Sequence, residues 1–336
     1  MHNIAAGIVL LLAASIINST FSLPMKFTRK WAWENTWLVW SVYALLLLPV
    51  LVAWLTIPTL NDVLHQAPGD IVLTVFLFGV GWGVAQVLFG LALDIIGIAL
   101  TFSIVLGLSA AMGSLIPLIR LHYDRIFTAS GLTAIGGIIL VVAGVSVSAI
   151  AGRMRDRHKG GQSSSRVSFK TGLLIAIVSG ICASMMNLGV AFGAPIAHQA
   201  AAAGARSWWT VNAVWLPLLV GGSIPNVIYC VYLMRKQKTA QQYKEPGTIG
   251  YWFLALLMAA QWYGSSLLYG AASIQLGPLG AVVGWPLFMA LVVILASVIG
   301  VVTGEWKNTG SRPLQVQFVA VAILVIAVIV LSRASL

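Results

Sequence analysis

The sequence predicts an all-α membrane protein whose ten transmembrane helices form a five-plus-five inverted repeat. The first reason is composition: 60% of the 336 residues are hydrophobic, only 8% are charged, and the mean hydropathy is +0.96. A soluble domain carries about 25% charged residues, so the bilayer must solvate most of this surface. The second reason is a series of apolar segments of spanning length, and the third is a similarity between the two halves of the chain.

Each apolar segment has about 20 residues, the length that a helix needs to cross a bilayer. The longest polar stretch between them is basic and includes Arg153, Arg155 and Arg157. We therefore predict a first half over residues 1–152, a basic cytoplasmic linker over 153–170 and a second half over 171–336. The predicted helices are 4–24, 36–57, 71–92, 97–118, 130–151, 171–192, 208–233, 249–272, 278–301 and 314–333.

The positive charges predict the orientation in the membrane. The net charge is +11, and the chain has 19 lysines and arginines. By the positive-inside rule, the side that holds most of them is cytoplasmic, so both termini are expected in the periplasm of a bacterial inner membrane. The residues expected on the opposite side are Arg120, Arg125, Arg206 and Arg333. The tryptophans expected to anchor the cytoplasmic interface are Trp31, Trp33, Trp37 and Trp40.

The segment from Trp82 to Gly97 matches the segment from Trp262 to Gly277 at a constant offset, and a tryptophan begins both. Two related halves of five helices each must insert with opposite topologies, because five is an odd number. Inverted repeats of this kind build secondary transporters, whose substrate site lies near the midplane between the halves. The pattern therefore predicts transport by alternating access.

The polar residues at membrane depth point to a neutral ligand. All eight acidic residues fall in loops or at helix ends, so we expect neither catalytic residues nor a metal site or cofactor, and no enzyme activity. Amides, hydroxyls and aromatic rings can bind a sugar by hydrogen bonding and stacking, although the same groups also hold helices together. The predicted substrate-binding residues are Asn18, Trp82, Gln86, Asn187, Gln261, Trp262, Tyr263, Tyr269 and Trp285.

Two loop motifs and one helix motif carry a family resemblance. The run PMKFTRKWAWE (Pro24–Glu34) follows the first helix, and EWKNTGSRP (Glu305–Pro313) follows the ninth. The run FGVGWG (Phe78–Gly83) lies in the third helix. Together they resemble the L-rhamnose–proton symporter family, within the drug/metabolite transporter superfamily. The resemblance covers nearly the whole chain, and it implies ten helices and proton-driven uptake of a deoxy-hexose.

The leading hypothesis is a proton-coupled transporter for L-rhamnose or a related deoxy-hexose, as a monomer or homodimer. Its expected partners are the sugar, the proton and the lipid bilayer, and nucleic acid is not expected, because the basic residues follow the membrane topology. The alternative is an exporter or importer of another small metabolite, and a membrane scaffold without transport is a third reading. The nearest ionisable candidates for proton coupling are Lys26, Asp94 and His198.

Overall fold

The computed structural model describes residues 3–158, 168–304, 306–307 and 309–334. Within these ranges the chain is helical and contains no β-strand. Nine helical segments of the described chain are long and apolar enough to cross a membrane. The predicted all-α membrane class is therefore confirmed, whereas the ten-helix inverted repeat stays a prediction. Residues 159–167 of the predicted linker lie outside the described residues.

Fourteen α-helices form the described chain, and short 3₁₀ or π turns join several of them. The turns are Leu23–Phe27, Tyr43–Leu47, Tyr123–Arg125, Ser207–Trp209 and Ala240–Lys244. The helices are α1 (Ile4–Thr20), α2 (Trp33–Val42), α3 (Leu48–Thr56), α4 (Leu60–Gln66), α5 (Gly69–Ile96), α6 (Ile98–Leu121), α7 (Ala129–His158), α8 (Phe169–Ala183), α9 (Met185–Phe192), α10 (Ala194–Ala202), α11 (Asn212–Gln237), α12 (Ile249–Gln275), α13 (Gly280–Val302) and α14 (Ser311–Ala334).

Helix α12 covers the predicted eighth span but is not among the nine apolar segments. Gln261, Ser265 and Ser266 lower its mean hydropathy, although its 27 residues are long enough to cross a bilayer. Because α12 is the helix richest in predicted substrate-binding residues, the polar side chains that suggest a site also weaken the signal for a membrane span.

Two predicted spans contain interruptions that have local causes. The second span holds the π turn Tyr43–Leu47 directly before Pro49. Proline has no N–H, so it cannot complete the helical hydrogen bond to the carbonyl of Leu45. The sixth span breaks between α8 and α9 at Ser184, whose hydroxyl donates to the Ile181 carbonyl oxygen at 2.6 Å. A side-chain bond of this kind bends a helix.

The chain divides into two compact units, each of which takes segments from both predicted halves. The first unit comprises Met1–Ser15, Ala85–Leu188 and Ala272–Leu336. Its most extensive contact is between α7 and α14. Gly144 of α7 faces Leu324 of α14, and a Cβ on that glycine would lie 2.7 Å from the leucine Cγ. Leu324 is fully buried, so the missing side chains of α7 let the apolar side chains of α14 pack closely.

The second unit comprises Ile16–Val84 and Gly189–Ala271. Helix α11 is its central element, since α2, α3, α4 and α10 all contact it. The first part of α5 also crosses α11 at very short range. A Cβ on Gly79 of α5 would collide with the carbonyl oxygen of Leu218, and one on Gly221 of α11 with the carbonyl oxygen of Phe76. The two backbones can approach this closely only because both helices carry glycine at the crossing.

Candidate functional site

Three tryptophans from three helices of the second unit form an aromatic cluster. Trp82 of α5 stacks on Trp262 of α12 with ring centroids 5.4 Å apart and an interplanar angle of 25°. Trp40 of α2 meets Trp262 edge-on, at 5.3 Å and 78°. All three side chains are at most 8% exposed. We refer to Trp40, Trp82 and Trp262 as the three-tryptophan cluster, and the two tryptophans that the sequence repeat pairs are in direct contact in it.

The glycines of the α5–α11 crossing hold Trp82 in place. Gly83 follows it in α5, and a Cβ there would collide with the carbonyl oxygen of Gly222. Gly222 itself lies beneath the indole, since a Cβ on it would be 2.8 Å from Trp82 Cε3. The FGVGWG motif is therefore a packing motif, because its glycines Gly79 and Gly83 let α5 approach the α11 backbone closely beside the large ring.

Sequence reasoning assigned Trp40 to the membrane interface, and the structure shows that this is wrong. Trp40 is only 1% exposed and belongs to the three-tryptophan cluster. Trp31 is also buried, whereas Trp33 is 43% exposed. Trp37 joins this group, since its ring lies 4.4 Å from that of Trp40 and its Nε1 donates to Asn226 Oδ1 at 3.0 Å. Trp262 and Asn226 are remote from these tryptophans in sequence, so the local pattern of tryptophans that follow lysine could not reveal those contacts.

Buried polar atoms without a hydrogen-bond partner among the described residues lie on the same helices as the cluster. Trp40 Nε1 is one of them, and Gln261 Oε1 and Tyr263 Oη, on either side of Trp262, are two more. The hydroxyls of Ser41 and Ser265 and the Oδ1 atom of Asn35 are the other such atoms on α2 and α12. A buried polar atom that makes no hydrogen bond costs about 1–3 kcal/mol, so such a group needs a functional explanation. Binding a polyhydroxy ligand would supply the missing partners.

Two further predicted site residues of the second unit lie elsewhere. Asn18 is half-buried near the end of α1, and its side chain makes no hydrogen bond among the described residues. Tyr269 of α12 is 1% exposed and packs against Trp215 of α11, with ring centroids 6.5 Å apart. Gly270 makes room for that indole, since a Cβ on it would be 2.9 Å from Trp215 Nε1. The structure thus gives Tyr269 a packing contact, and its role in binding stays a prediction.

Asn187 lies in the first unit, where it joins helices through hydrogen bonds. It is fully buried in α9, and its Nδ2 donates to the carbonyl oxygens of Gly113 at 2.7 Å and Ala281 at 2.9 Å. The Gly113 carbonyl has no helical donor because Pro117, four residues later, lacks an N–H. Asn187 satisfies that carbonyl, which is a structural task. Its predicted contact with substrate is not tested by this arrangement.

The remaining two predicted residues also belong to the first unit. Trp285 of α13 is 5% exposed, and its Nε1 donates to the carbonyl oxygen of Ser109 in α6 at 3.1 Å. Its indole packs on Gly113, where a Cβ would lie 2.9 Å from Trp285 Cδ1. Gln86 is half-buried in α5, one helical turn after Trp82. Trp285 therefore ties α13 to α6, and the binding roles of Trp285 and Gln86 stay predictions.

The ionisable residues proposed from the sequence for proton coupling are all exposed. Lys26, Asp94 and His198 each lie at the surface of the structure. The part of the chain that the structure describes contains no group of three or more His, Cys, Asp or Glu residues that could hold a metal ion. Glu34 does lie at a helix end, as the sequence predicts, but the structure buries it.

Comparison with known proteins identifies the family. A family model described as L-rhamnose-proton symport protein matches residues 1–335. The chain belongs to this family. It is 26% identical over 331 residues to the L-rhamnose-proton symporter of Citrobacter koseri, and the match covers 96% of both chains. It is likewise 27% identical to the L-rhamnose-proton symporter of Salmonella paratyphi A and 26% identical to that of Shigella sonnei, with the same coverage.

Membership of the L-rhamnose-proton symport family confirms the resemblance inferred from the loop motifs. The family is one of transporters and not of enzymes, which agrees with the prediction that this chain is not an enzyme. Together with the nine apolar helices of the described chain, it supports a multi-pass membrane protein.

Proposed function

We propose that this protein is a proton-coupled transporter for L-rhamnose or a closely related deoxy-hexose in the bacterial inner membrane. The family match over residues 1–335 and the relatives named L-rhamnose-proton symporter support the substrate and the coupling ion. Transport proceeds by alternating access, in which the binding site opens to one face of the membrane at a time. The basic loops orient both termini towards the periplasm.

The observation that carries the proposal is the three-tryptophan cluster together with the unpartnered atoms on two of its helices, α2 and α12. An indole face binds the C–H face of a sugar ring, and 6-deoxy-hexoses add an apolar methyl group to that face. Trp40 Nε1 is a donor and Gln261 Oε1 an acceptor, so together with the hydroxyls of Tyr263 and Ser265 they match sugar hydroxyls of either polarity. None of these groups is charged, which suits a neutral ligand.

The test is uptake of labelled L-rhamnose into proteoliposomes, with and without an inwardly directed proton gradient. We expect accumulation that depends on the gradient, and competition from unlabelled L-rhamnose that exceeds that from hexoses with a 6-hydroxyl group. Equal accumulation of the sugar with and without the proton gradient would contradict proton coupling. If folded protein takes up no L-rhamnose, L-rhamnose is excluded as the substrate. A panel of other sugars and metabolites would then identify the substrate.

A pair of tryptophan variants tests the site in the same assay. Trp262→Phe reduces the stacking surface in the cluster, and an aromatic contact contributes about 0.5–1.5 kcal/mol. We therefore expect a loss of apparent affinity of about 2- to 12-fold. Trp208→Phe changes a tryptophan that is 43% exposed, so it serves as the matched control and should leave affinity unchanged. Equal affinities of both variants would place the sugar away from Trp262.

A further inference from the structure

One acidic side chain of the described residues is buried, and it is Glu34. It is 3% exposed in the first turn of α2. Its Oε1 accepts a hydrogen bond from Thr239 Oγ1 at 2.7 Å, and no lysine, arginine or histidine of the described residues forms an ion pair with it. Lys30, one turn earlier in sequence, donates to the carbonyl oxygen of Pro246 at 2.7 Å instead.

The segment after α11 covers this carboxylate. Asn35 Nδ2 donates to the Thr239 carbonyl oxygen at 3.0 Å, and Tyr243 Oη donates to the Asn35 carbonyl oxygen at 2.9 Å. Trp31 packs edge-on against Tyr243, with ring centroids 4.9 Å apart, and against Trp252 at 5.4 Å. Glu34 is therefore buried beneath a segment that hydrogen bonds and aromatic contacts hold against the start of α2, all within the second unit.

The titratable groups that face Glu34 do not neutralise it. Cys230 of α11 and Tyr243 of the turn Ala240–Lys244 lie near enough to interact with it electrostatically. Burial first, and then the proximity of Cys230, raise the pKa of the Tyr243 phenol; its hydrogen bond to Asn35 lowers that pKa, and Glu34 raises it by a smaller amount. The phenol therefore stays neutral at physiological pH. Arg235, Lys236 and Lys238 at the end of α11 are not paired with Glu34.

A buried carboxylate without a cation is costly, and binding a proton removes that cost. The amino end of α2 offers a partial positive charge, but its contribution is only about 0.3–1 kcal/mol. Glu34 is thus a buried carboxylate that no cation of the described residues compensates. The same helix carries Trp37, whose Nε1 donates to Asn226 of α11, and then Trp40 of the three-tryptophan cluster. Asn226 lies one turn before Cys230 in α11, so Glu34 and the cluster share the α2–α11 contact.

We propose that Glu34 binds the transported proton and that α2 transmits its protonation state to the three-tryptophan cluster. This assignment rests on the proposed proton-coupled transport. The proton comes from water on the predicted periplasmic side and adds to a carboxylate oxygen to give the neutral acid, and it leaves again to water on the predicted cytoplasmic side, so no other reactant is consumed. In the neutral form α2 keeps its contact with α11, and in the charged form the cost of keeping the carboxylate away from water loosens that contact.

The test compares wild type, Glu34→Gln, Glu34→Asp and Glu245→Gln in proteoliposomes. Glutamine keeps the acceptor for Thr239 but cannot release a proton, aspartate keeps a titratable group, and Glu245 is an exposed acid in the same unit. With one proton per sugar, a gradient of one pH unit supports about tenfold accumulation. We expect E34Q to lose this accumulation while exchange of labelled for unlabelled L-rhamnose persists, E34D to retain part of it, and E245Q to match wild type.

Accumulation by E34Q equal to that of wild type would overturn the assignment. If E34Q loses both accumulation and exchange, the E34D variant distinguishes the two explanations. Accumulation by E34D supports the proposal, whereas loss of accumulation in E34D as well assigns Glu34 a structural role. A wild-type protein that shows no gradient-dependent accumulation would refute the proposed function itself, and that result is distinct from any result with the variants.

Discussion

Replacing Tyr263 by phenylalanine gives the most discriminating prediction, because the change removes one oxygen atom and nothing else. Tyr263 is 2% exposed, and its Oη has no hydrogen-bond partner among the described residues. Deleting an unpartnered buried hydroxyl is nearly neutral or slightly stabilising for the sugar-free protein. If the hydroxyl binds a sugar hydroxyl, its loss removes about 0.5–1.5 kcal/mol of binding free energy, which corresponds to about a 2- to 12-fold weaker affinity.

Tyr243→Phe is the matched control. Its Oη donates to the Asn35 carbonyl oxygen at 2.9 Å, so we expect this variant to be less stable by about 1 kcal/mol. The assay is the melting temperature of purified protein without sugar, together with the L-rhamnose affinity from tryptophan fluorescence. The expected pattern is lower affinity with unchanged stability for Y263F, and lower stability for Y243F. A Y263F variant that melts earlier and binds sugar normally would refute the reasoning.

Two further predictions concern packing and helix contacts. Gly79→Ala places a Cβ against the Leu218 carbonyl, so we expect this variant to lose about 1–3 kcal/mol of unfolding free energy. Its control is Gly90→Ala in the same helix, where a Cβ would have nothing within 4 Å, and this variant should unfold at the wild-type denaturant concentration. Equal stability of the two variants would disprove the close α5–α11 crossing. Asn187→Ala leaves the Gly113 carbonyl without its donor and should lower the unfolding free energy by about 1–3 kcal/mol. Its control is Asn18→Ala, which removes no hydrogen bond within the described chain. Equal denaturation midpoints of N187A and N18A would argue against the structural role of Asn187.

The helices were predictable from the sequence because the bilayer imposes long apolar segments. The interruptions were not, because they depend on single residues. Pro49 displaces one hydrogen bond of the second span, and the Ser184 hydroxyl competes for a carbonyl in the sixth. Helix α12 was predicted as a span because 249–272 is an apolar segment of spanning length, and its polar residues explain why it is not among the nine most apolar helices of the described chain.

The candidate site could be predicted only in part. Trp82 and Trp262 were selected because the repeat pairs them and because tryptophan is expensive to place at depth without a role, and the structure stacks them. Trp40 was assigned to the interface because it ends the run of tryptophans that follows Lys26–Lys30, and its ring partner in α12, Trp262, is remote in sequence. Asn187 was selected as a substrate-binding residue, and the structure shows it bound to a backbone carbonyl that proline leaves without a helical donor. The sequence alone cannot distinguish these two roles of an amide at membrane depth.

Glu34 shows why position in the chain is a poor guide to burial. It stands at the start of a helix beside Lys26, Arg29 and Lys30, which is where a solvated acid is expected. The segment after α11 lies about two hundred residues later and covers it through Thr239. Contacts of such long sequence separation arise only from the packed structure.

Sugar-driven proton movement tests the central claim most directly. Proteoliposomes containing a trapped pH-sensitive dye would receive L-rhamnose from outside, with no initial gradient of pH or voltage. The account predicts that the interior acidifies as the sugar enters, that the signal vanishes with a proton ionophore, and that E34Q gives none. Entry of labelled L-rhamnose by the wild-type protein without acidification would contradict proton-coupled transport.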